Sequence, residues 1–128
     1  MGKRVIVFVF LFVAFAGYFF FRGLLSPKEV FGAEAPPGAR TVRISEILAN
    51  PTAYSGQTLV VDGKISLTCG SGCWFYMVSA DGSEGILVDL APAGLTVPRR
   101  INASVRVYGG VRVEGNRVLL EGLRVEFL

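Results

Sequence analysis

The sequence predicts an all-β domain that closes into a small barrel and follows an apolar N-terminal helix. Two observations predict this class. The run from Val5 to Phe21 contains no charged residue, and apolar residues alternate with polar ones over most of the chain after Gly56. The chain has 128 residues and no histidine. Its length leaves room for one small domain after the helix, and the missing imidazole excludes mechanisms that need a histidine base or ligand.

The uncharged run is long enough to cross a membrane. It holds 17 residues, seven of them phenylalanine, and at 1.5 Å per helical residue it spans about 25 Å. We therefore predict a single-pass transmembrane anchor over residues 1–25, with the C-terminal domain outside the cytoplasmic membrane. The alternative is a cleavable signal peptide, because Lys3 and Arg4 precede the run and residues 14–16 and 33–35 resemble small-x-small cleavage sites.

The anchor is followed by a segment of different composition. Residues 26–41 contain three prolines and show no helical or strand period, which predicts a flexible linker before a domain at 42–128. Most of the net charge of +3 flanks the apolar run, because residues 40–128 carry nine basic and eight acidic side chains. A nucleic-acid partner would need a concentrated basic stripe, so this balance argues against one.

One short helical segment precedes the strands, with Ser45 and Asn50 as candidate capping residues. Alternation then predicts five antiparallel strands. Their ranges are Leu59–Thr68, Trp74–Ser79, Glu84–Leu90, Ser104–Val113 and 118–127. The first strand is expected to point Ile65 and Leu67 to the same side. In the last strand the apolar phase changes after Leu120, so we expect a β-bulge at Gly122.

Five strands on so short a chain cannot cover both edges of a flat sheet and should close. Their order, with a non-strand excursion over residues 91–102, fits a five-stranded OB-like Greek-key barrel. The stretch from Val42 to Met77 contains a helical turn, a Tyr-x-Gly and a Cys-x-x-x-Cys-Trp motif. It resembles small exported or membrane-anchored OB-fold proteins of unknown function, and the resemblance covers about residues 42–127. The haem chaperone of cytochrome c maturation has a similar layout, but this chain lacks its haem-attaching histidine.

Cys69 and Cys73 lie in the loop between the first two strands, in the sequence CGSGC. We predict a structural disulfide, because a domain outside the membrane meets an oxidising compartment. A redox-active pair is an alternative, although the segment contains no basic side chain to lower a thiol pKa. A Cu(I) site that adds Met77 is another, and zinc would need ligands from a second copy. The last alternative is that both cysteines are free, unreactive thiols.

Four consecutive residues after the cysteines bear on ligand binding. Trp74 and Tyr76 should share one face of the second strand, and Phe75 and Met77 the other. One pair belongs to the core, and the other lies on the surface where barrels of this kind bind ligands. The full candidate binding face comprises Trp74, Phe75, Tyr76, Met77, Tyr108, Arg99 and Arg100.

The sequence contains no paired-carboxylate, nucleophile–histidine or phosphate-loop motif. We therefore predict a non-enzymatic binding or accessory module without a cofactor. Its N-terminal helix is expected to meet the membrane, and its partner to be a protein or a small ligand. A thiol-redox or Cu(I)-handling accessory and an oligonucleotide-binding domain are the alternative functions.

Overall fold

The computed structural model describes residues 9–14, 16 and 29–128. Over residues 29–128, seven strands, one α-helix and two short 3₁₀ segments follow in chain order. The strands are β1 (Val30–Gly32), β2 (Arg40–Thr41), β3 (Leu59–Thr68), β4 (Trp74–Val78), β5 (Gly85–Asp89), β6 (Ser104–Glu114) and β7 (Arg117–Phe127). Helix α1 spans Ile44–Ala49, and the 3₁₀ segments span Pro51–Tyr54 and Ala91–Ala93.

Residues 9–14 are helical. Among the helices of the described ranges, none is both long enough and apolar enough to cross a membrane. Most of the predicted anchor over residues 1–25 lies outside the described residues.

Five strands form a closed ring. β3 pairs with β4, β4 with β5, β5 with β7, β7 with β6, and β6 returns to β3. This ring confirms the predicted barrel, and the strand order fits an OB-like barrel. One pairing differs from the prediction, because β5 and β7 run parallel. The excursion after β5 carries the chain away before it returns as β6, so β5 and β7 become neighbours without a hairpin between them.

The segment from Glu29 to Thr41, which the composition predicts to be part of a linker, lies against the barrel. β1 pairs with β7 in antiparallel register, and β2 pairs with the start of β3 in parallel register. Phe31 packs edge-to-face on Phe127 at 5.7 Å between ring centroids. Each short strand pairs with backbone N–H and C=O groups that the ring itself leaves unpaired. This pairing is the physical reason why the segment lies on the barrel and is not the predicted flexible linker.

A bulge in β3 changes which of its residues face the core. Ile65 pairs with Met77, but Leu67 pairs with Tyr76, so Ser66 is an extra residue. Its hydroxyl donates a hydrogen bond to the Tyr76 carbonyl at 3.2 Å. As a result Leu67 is 54% exposed and Thr68 is buried. The prediction that Leu67 points to the same side as Ile65 was therefore wrong, because a bulge reverses the alternation after it.

The predicted bulge in β7 is present, one residue later than expected. Tyr108 pairs with Arg124 and Gly109 with Gly122, which leaves Leu123 as the extra residue. The barrel interior is filled by apolar side chains from all five ring strands and from α1. The largest fully buried ones are Phe75, Ile47, Leu59, Ile65, Met77, Ile86, Leu90 and Leu120.

Candidate functional site

The cysteine loop, residues 69–73, connects β3 to β4. A backbone hydrogen bond from Gly72 N to Cys69 O, 2.9 Å long, closes the turn. Both cysteines are free and half-buried, and their sulfurs lie 3.3 Å apart. A disulfide bond is about 2.05 Å long, so the described chain holds the pair as two thiols. The Cys69–Cys73 disulfide stays a prediction.

Ser71 lies between the two sulfurs. Its Oγ is 3.3 Å from Cys69 Sγ and 3.4 Å from Cys73 Sγ. Hydrogen bonds from Ser71, and then from Cys73, lower the pKa of Cys69 from 9.0 to about 7. The sequence offered no basic neighbour for such an effect. A hydroxyl can stabilise a thiolate as a hydrogen-bond donor, and the serine in CGSGC was the available signal.

The excursion after β5 holds the cysteine loop in place. Val97 N donates to Gly72 O at 3.1 Å, and Leu90 N donates to Cys73 O at 2.9 Å. Gly72 has a φ of +77°, and a Cβ there would lie 2.2 Å from Val97 O. The backbone on either side of the sulfurs is therefore fixed by contacts with a second segment.

The predicted Cu(I) ligand set is not brought together. Met77 is fully buried, and its Sδ lies 3.0 Å from where a Cβ on Gly63 would be. Gly63 precedes Cys69 by six residues, which is about 20 Å of extended strand. Within the described ranges, no group of three or more Cys, Asp or Glu residues is arranged to hold a metal ion.

The aromatic residues of β4 divide as the alternation predicts. Phe75 and Met77 are fully buried in the core, so their place in the candidate binding face was wrong. Trp74 is half-buried and Tyr76 is 39% exposed. These two side chains lie on the outer face of the barrel.

A cleft of about 400 Å³ lies beside Trp74 on this outer face. Strand pairing places Leu87 beside Leu119, and Leu119 beside Arg112. Leu119 is 2% exposed although it lies on the outward phase of β7. The cleft is lined by Trp74, Leu87, Asp89, Arg112, Glu114, Arg117 and Leu119. We call this set the Trp74 cleft.

Arg112 is the electrostatic centre of the Trp74 cleft. Its Nη2 lies 2.7 Å from Asp89 Oδ2, and its Nη1 lies 3.6 Å from Glu121 Oε1. Its Nε lies 3.1 Å from Glu114 Oε1, within ion-pair distance. This buried nitrogen nevertheless has no partner in hydrogen-bond geometry. The hydrogen bond that Arg112 donates to Asp89 raises the pKa of Arg112 above its ordinary value. Three carboxylates thus surround one permanent positive charge.

Tyr108, Arg99 and Arg100 do not join Trp74. Tyr108 lies on the outside of β6, where the guanidinium of Arg124 is 5.9 Å from its ring centroid. Arg100 forms a 2.6 Å ion pair with Glu29, and Arg99 is exposed on the excursion. None of the three lines the Trp74 cleft. A binding face that includes these three residues therefore stays a prediction, separate from the Trp74 cleft.

Sequence reasoning predicted only Trp74 among the residues of the cleft. It missed the other six, which are Leu87, Asp89, Arg112, Glu114, Arg117 and Leu119. Leu87 and Leu119 could have indicated the cleft, because each is an apolar residue at a strand position that should face solvent. A leucine on the polar phase indicates an apolar patch on the outer surface.

A second, larger groove of about 600 Å³ lies between the start of α1 and the turn after β4. Its acidic groups are already engaged. Asp62 forms an ion pair with Arg106 at 2.9 Å, and Asp81 accepts hydrogen bonds from Ser79 and Ser83 in its own turn. These groups stabilise the local structure, so the groove is a weaker candidate for ligand binding.

Comparison with protein-family models and with curated proteins gives no match. Among solved structures the chain is similar to the hypothetical protein YgiW from E. coli. The TM-score is 0.54 at 16% identity, over 76% of this chain and 99% of that one. It is also similar to an aspartyl-tRNA synthetase assigned in Leishmania major Friedlin, with a TM-score of 0.51 at 16% identity, over 74% of this chain but 22% of that one. Likeness at this identity shows the fold alone.

Proposed function

We propose that this chain is a non-enzymatic binding module that an N-terminal helix tethers outside the cytoplasmic membrane. Its partner binds in the Trp74 cleft. The observation that carries the proposal is the combination of a half-buried tryptophan and two leucines with paired charges in one concave site. Ligand sites on proteins have this composition, with apolar walls and a few fixed polar groups.

The charges of the cleft indicate the chemistry of the partner. The cleft is lined by two arginines, Arg112 and Arg117, and by two carboxylates, Asp89 and Glu114. A third carboxylate, Glu121, lies outside the lining but 3.6 Å from Arg112, so the acidic groups in and beside the cleft exceed the basic ones by one. This balance favours a ligand that offers an apolar group together with a positive charge. A short segment of a protein that contains both leucine and lysine is such a ligand.

The same pairing disfavours an oligonucleotide, the second alternative from the sequence. Three arginines elsewhere on the described surface are also paired, Arg43 with Glu46, Arg100 with Glu29, and Arg106 with Asp62. Binding to phosphates requires free basic groups that release counterions.

The proposed location rests on the 17-residue uncharged run with basic residues before it. In an oxidising compartment the Cys69 and Cys73 sulfurs, 3.3 Å apart, need only a small side-chain movement to form the predicted disulfide. Alkaline phosphatase fused after Leu128 tests the location. We expect an active fusion, and an inactive fusion that is well expressed would contradict the proposal.

Binding can be measured directly because Trp74 is the single tryptophan of the chain. The probes are two acetylated hexapeptide amides that differ only in a lysine or a glutamate beside one leucine. We expect the lysine peptide to change Trp74 emission saturably and the glutamate peptide to bind at least about fivefold more weakly.

Two variants provide the specificity test. Leu87→Ala should weaken binding of the lysine peptide, because it removes one wall of the cleft. Leu123→Ala should leave binding unchanged, because this exposed leucine lies outside the cleft. Equal affinity for both peptides, or no saturable response up to about 1 mM, would overturn the proposed ligand chemistry.

A further inference from the structure

The cysteine loop directly precedes Trp74 in the chain, but none of its residues lines the Trp74 cleft. The two sulfurs are 3.3 Å apart, which is shorter than the separation of about 3.8 Å between two thiolates on a tetrahedral zinc with Zn–S bonds of 2.3 Å. No third Cys, Asp or Glu residue is gathered with them in the described part of the chain. The arrangement therefore suits the formation of a sulfur–sulfur bond better than metal binding.

The hydrogen bonds make the two thiols unequal. When Cys69 is ionised, the Ser71 hydroxyl and the Cys73 thiol can both donate to its sulfur, over contacts of 3.3 Å each. Both contacts stabilise negative charge on Cys69, and its pKa is lowered to about 7. Cys69 is thus the stronger candidate for the attacking nucleophile, with Cys73 beside it.

The sulfurs are accessible and the backbone around them is held in place, and both properties favour thiol–disulfide chemistry. Gly70 and Ser71 are exposed, and both cysteines are half-buried, so a small molecule can reach the sulfurs. The backbone at Gly72 and Cys73 is hydrogen-bonded to Val97 and Leu90. These contacts hold the second sulfur close to the first while the exposed side of the loop remains open.

We propose that Cys69 and Cys73 form a thiol–disulfide exchange site for a low-molecular-weight disulfide of the glutathione type. The Cys69 thiolate attacks one sulfur of the disulfide, a mixed disulfide forms, and the first small thiolate leaves and takes up a proton. Cys73 then loses its proton and attacks Cys69 Sγ, which releases the second small thiol. The protein gives up two electrons and two protons, and the small disulfide becomes two thiols. Excess small thiol reverses both steps.

The test uses the full chain, reduced and then freed of reductant, with glutathione disulfide as the probe. Products are measured by mass after acid quenching and alkylation. We expect Cys73→Ser to accumulate one glutathione on Cys69. Cys69→Ser should react with glutathione disulfide at least about fivefold more slowly at pH 7, because Cys69 accepts from both Ser71 and Cys73, whereas Cys73 has only the longer contact of 3.4 Å with Ser71.

Ser71→Ala tests the role of the hydroxyl. For the Cys73→Ser protein, which keeps the larger contribution from Ser71, the midpoint of the pH–rate profile should lie below the ordinary value of 9.0 and should move upward when Ser71→Ala is added. If the whole pKa shift of Cys69 were lost, a smaller fraction of Cys69 would be ionised at pH 7. Each remaining thiolate would be a stronger nucleophile, so the attack would slow only roughly fivefold. Gly70→Ala is the matched control, since a Cβ at Gly70 meets no atom within 4 Å.

Trp74 emission verifies that each variant is folded. The proposal is overturned if Cys69→Ser and Cys73→Ser react at the same rate, or if excess reduced glutathione leaves a Cys69–Cys73 disulfide intact. The second outcome would identify a permanent structural bond. Both readouts are independent of peptide binding to the Trp74 cleft, so failure of one proposal does not imply failure of the other.

Discussion

At the scale of single residues, Gly72 fixes the geometry of the cysteine loop. It combines a left-handed backbone with an approach to Val97 O that leaves no space for a side chain. Gly70, two residues earlier, has open space around it. The same loop thus contains one glycine that the fold requires and one that it does not.

This contrast gives a matched pair of variants. We expect Gly72→Ala to lower the free energy of unfolding by about 2–4 kcal/mol, since both backbone strain and a steric clash oppose it. Gly70→Ala should change it by less than about 0.5 kcal/mol. Urea unfolding of the full chain, followed by Trp74 emission, measures both values. Equal stability of the two variants would contradict the described contact with Val97.

The sequence predicted part of the site. Alternation separated Trp74 and Tyr76 from Phe75 and Met77, because successive side chains of a strand point to opposite faces. It could not say which pair faces the core. It also could not show the contact of Ser71 with both sulfurs, because that contact depends on side-chain positions within a tight turn.

At the scale of elements, two of the three long strands, β3 and β7, change neighbours along their length. β7 pairs with β5 near Leu120 and with β1 near Val125, while β6 accompanies it on the other side. A register shift near Gly109 accompanies this change. Bulges bend strands and increase their twist, which a barrel of five strands requires in order to close.

The bulge leads to a second matched pair on adjacent residues of β6. A Cβ on Gly109 would lie 2.2 Å from Glu121 O, whereas a Cβ on Gly110 would lie 3.6 Å from its nearest contact, Gln57 O. We expect Gly109→Ala to cost about 1–3 kcal/mol of stability through overpacking, and Gly110→Ala to cost less than about 0.5 kcal/mol. The comparison uses the midpoint of urea unfolding. A larger effect at Gly110 would place the bulge elsewhere.

The turn between β4 and β5 has a pH-dependent contribution to stability. Hydrogen bonds from Ser79 and then Ser83 lower the pKa of Asp81 from 3.8 to about 2. A depressed folded-state pKa adds stability above pH 3.8, and that stability is lost as the pH falls through about 2. We expect Asp81→Asn to be less stable than the parent chain near neutral pH and the difference to shrink between about pH 4 and pH 2. A constant difference in urea midpoint across that range would disprove this role.

The elements themselves were largely predictable, and their register was not. Alternation located all five strands of the ring and indicated the irregularity in β7. It missed the bulge at Ser66, because Leu67 continues the apolar phase of β3 in the sequence. Only pairing with β4 reveals that Leu67 has turned to solvent, and such pairing joins residues that are distant in the chain.

At the scale of the whole molecule, β1 and β2 complete the barrel from outside the predicted domain. Glu29 O accepts a hydrogen bond from Phe127 N at 2.9 Å, and Ala33 O accepts one from Arg124 at 2.8 Å. Composition predicted a linker here because proline, glycine and alanine dominate the segment. Its two short strands become visible only when their partners β3 and β7 are in place, because two or three residues carry no period of their own.

Removal of the Phe31 ring tests how much this segment stabilises the fold. Phe31 is half-buried against the core and contacts Phe127. We expect Phe31→Ala to lower the free energy of unfolding by about 2 kcal/mol, less than a fully buried phenylalanine would. Val30→Ala, at a neighbouring residue that is 40% exposed, should cost less than about 1 kcal/mol. Equal small effects would mean that the barrel is stable without β1.

The antiparallel ladder between β1 and β7 brings Glu29 next to Phe127. In a chain tethered as proposed, the polypeptide therefore leaves the barrel at its last residue close to where it enters from the bilayer. Traction between the tether and a domain fused after Leu128 would open this ladder one rung at a time, and would not shear all its rungs together. Such a fused domain would also be held near the lipid surface, with the five-stranded ring extending to one side.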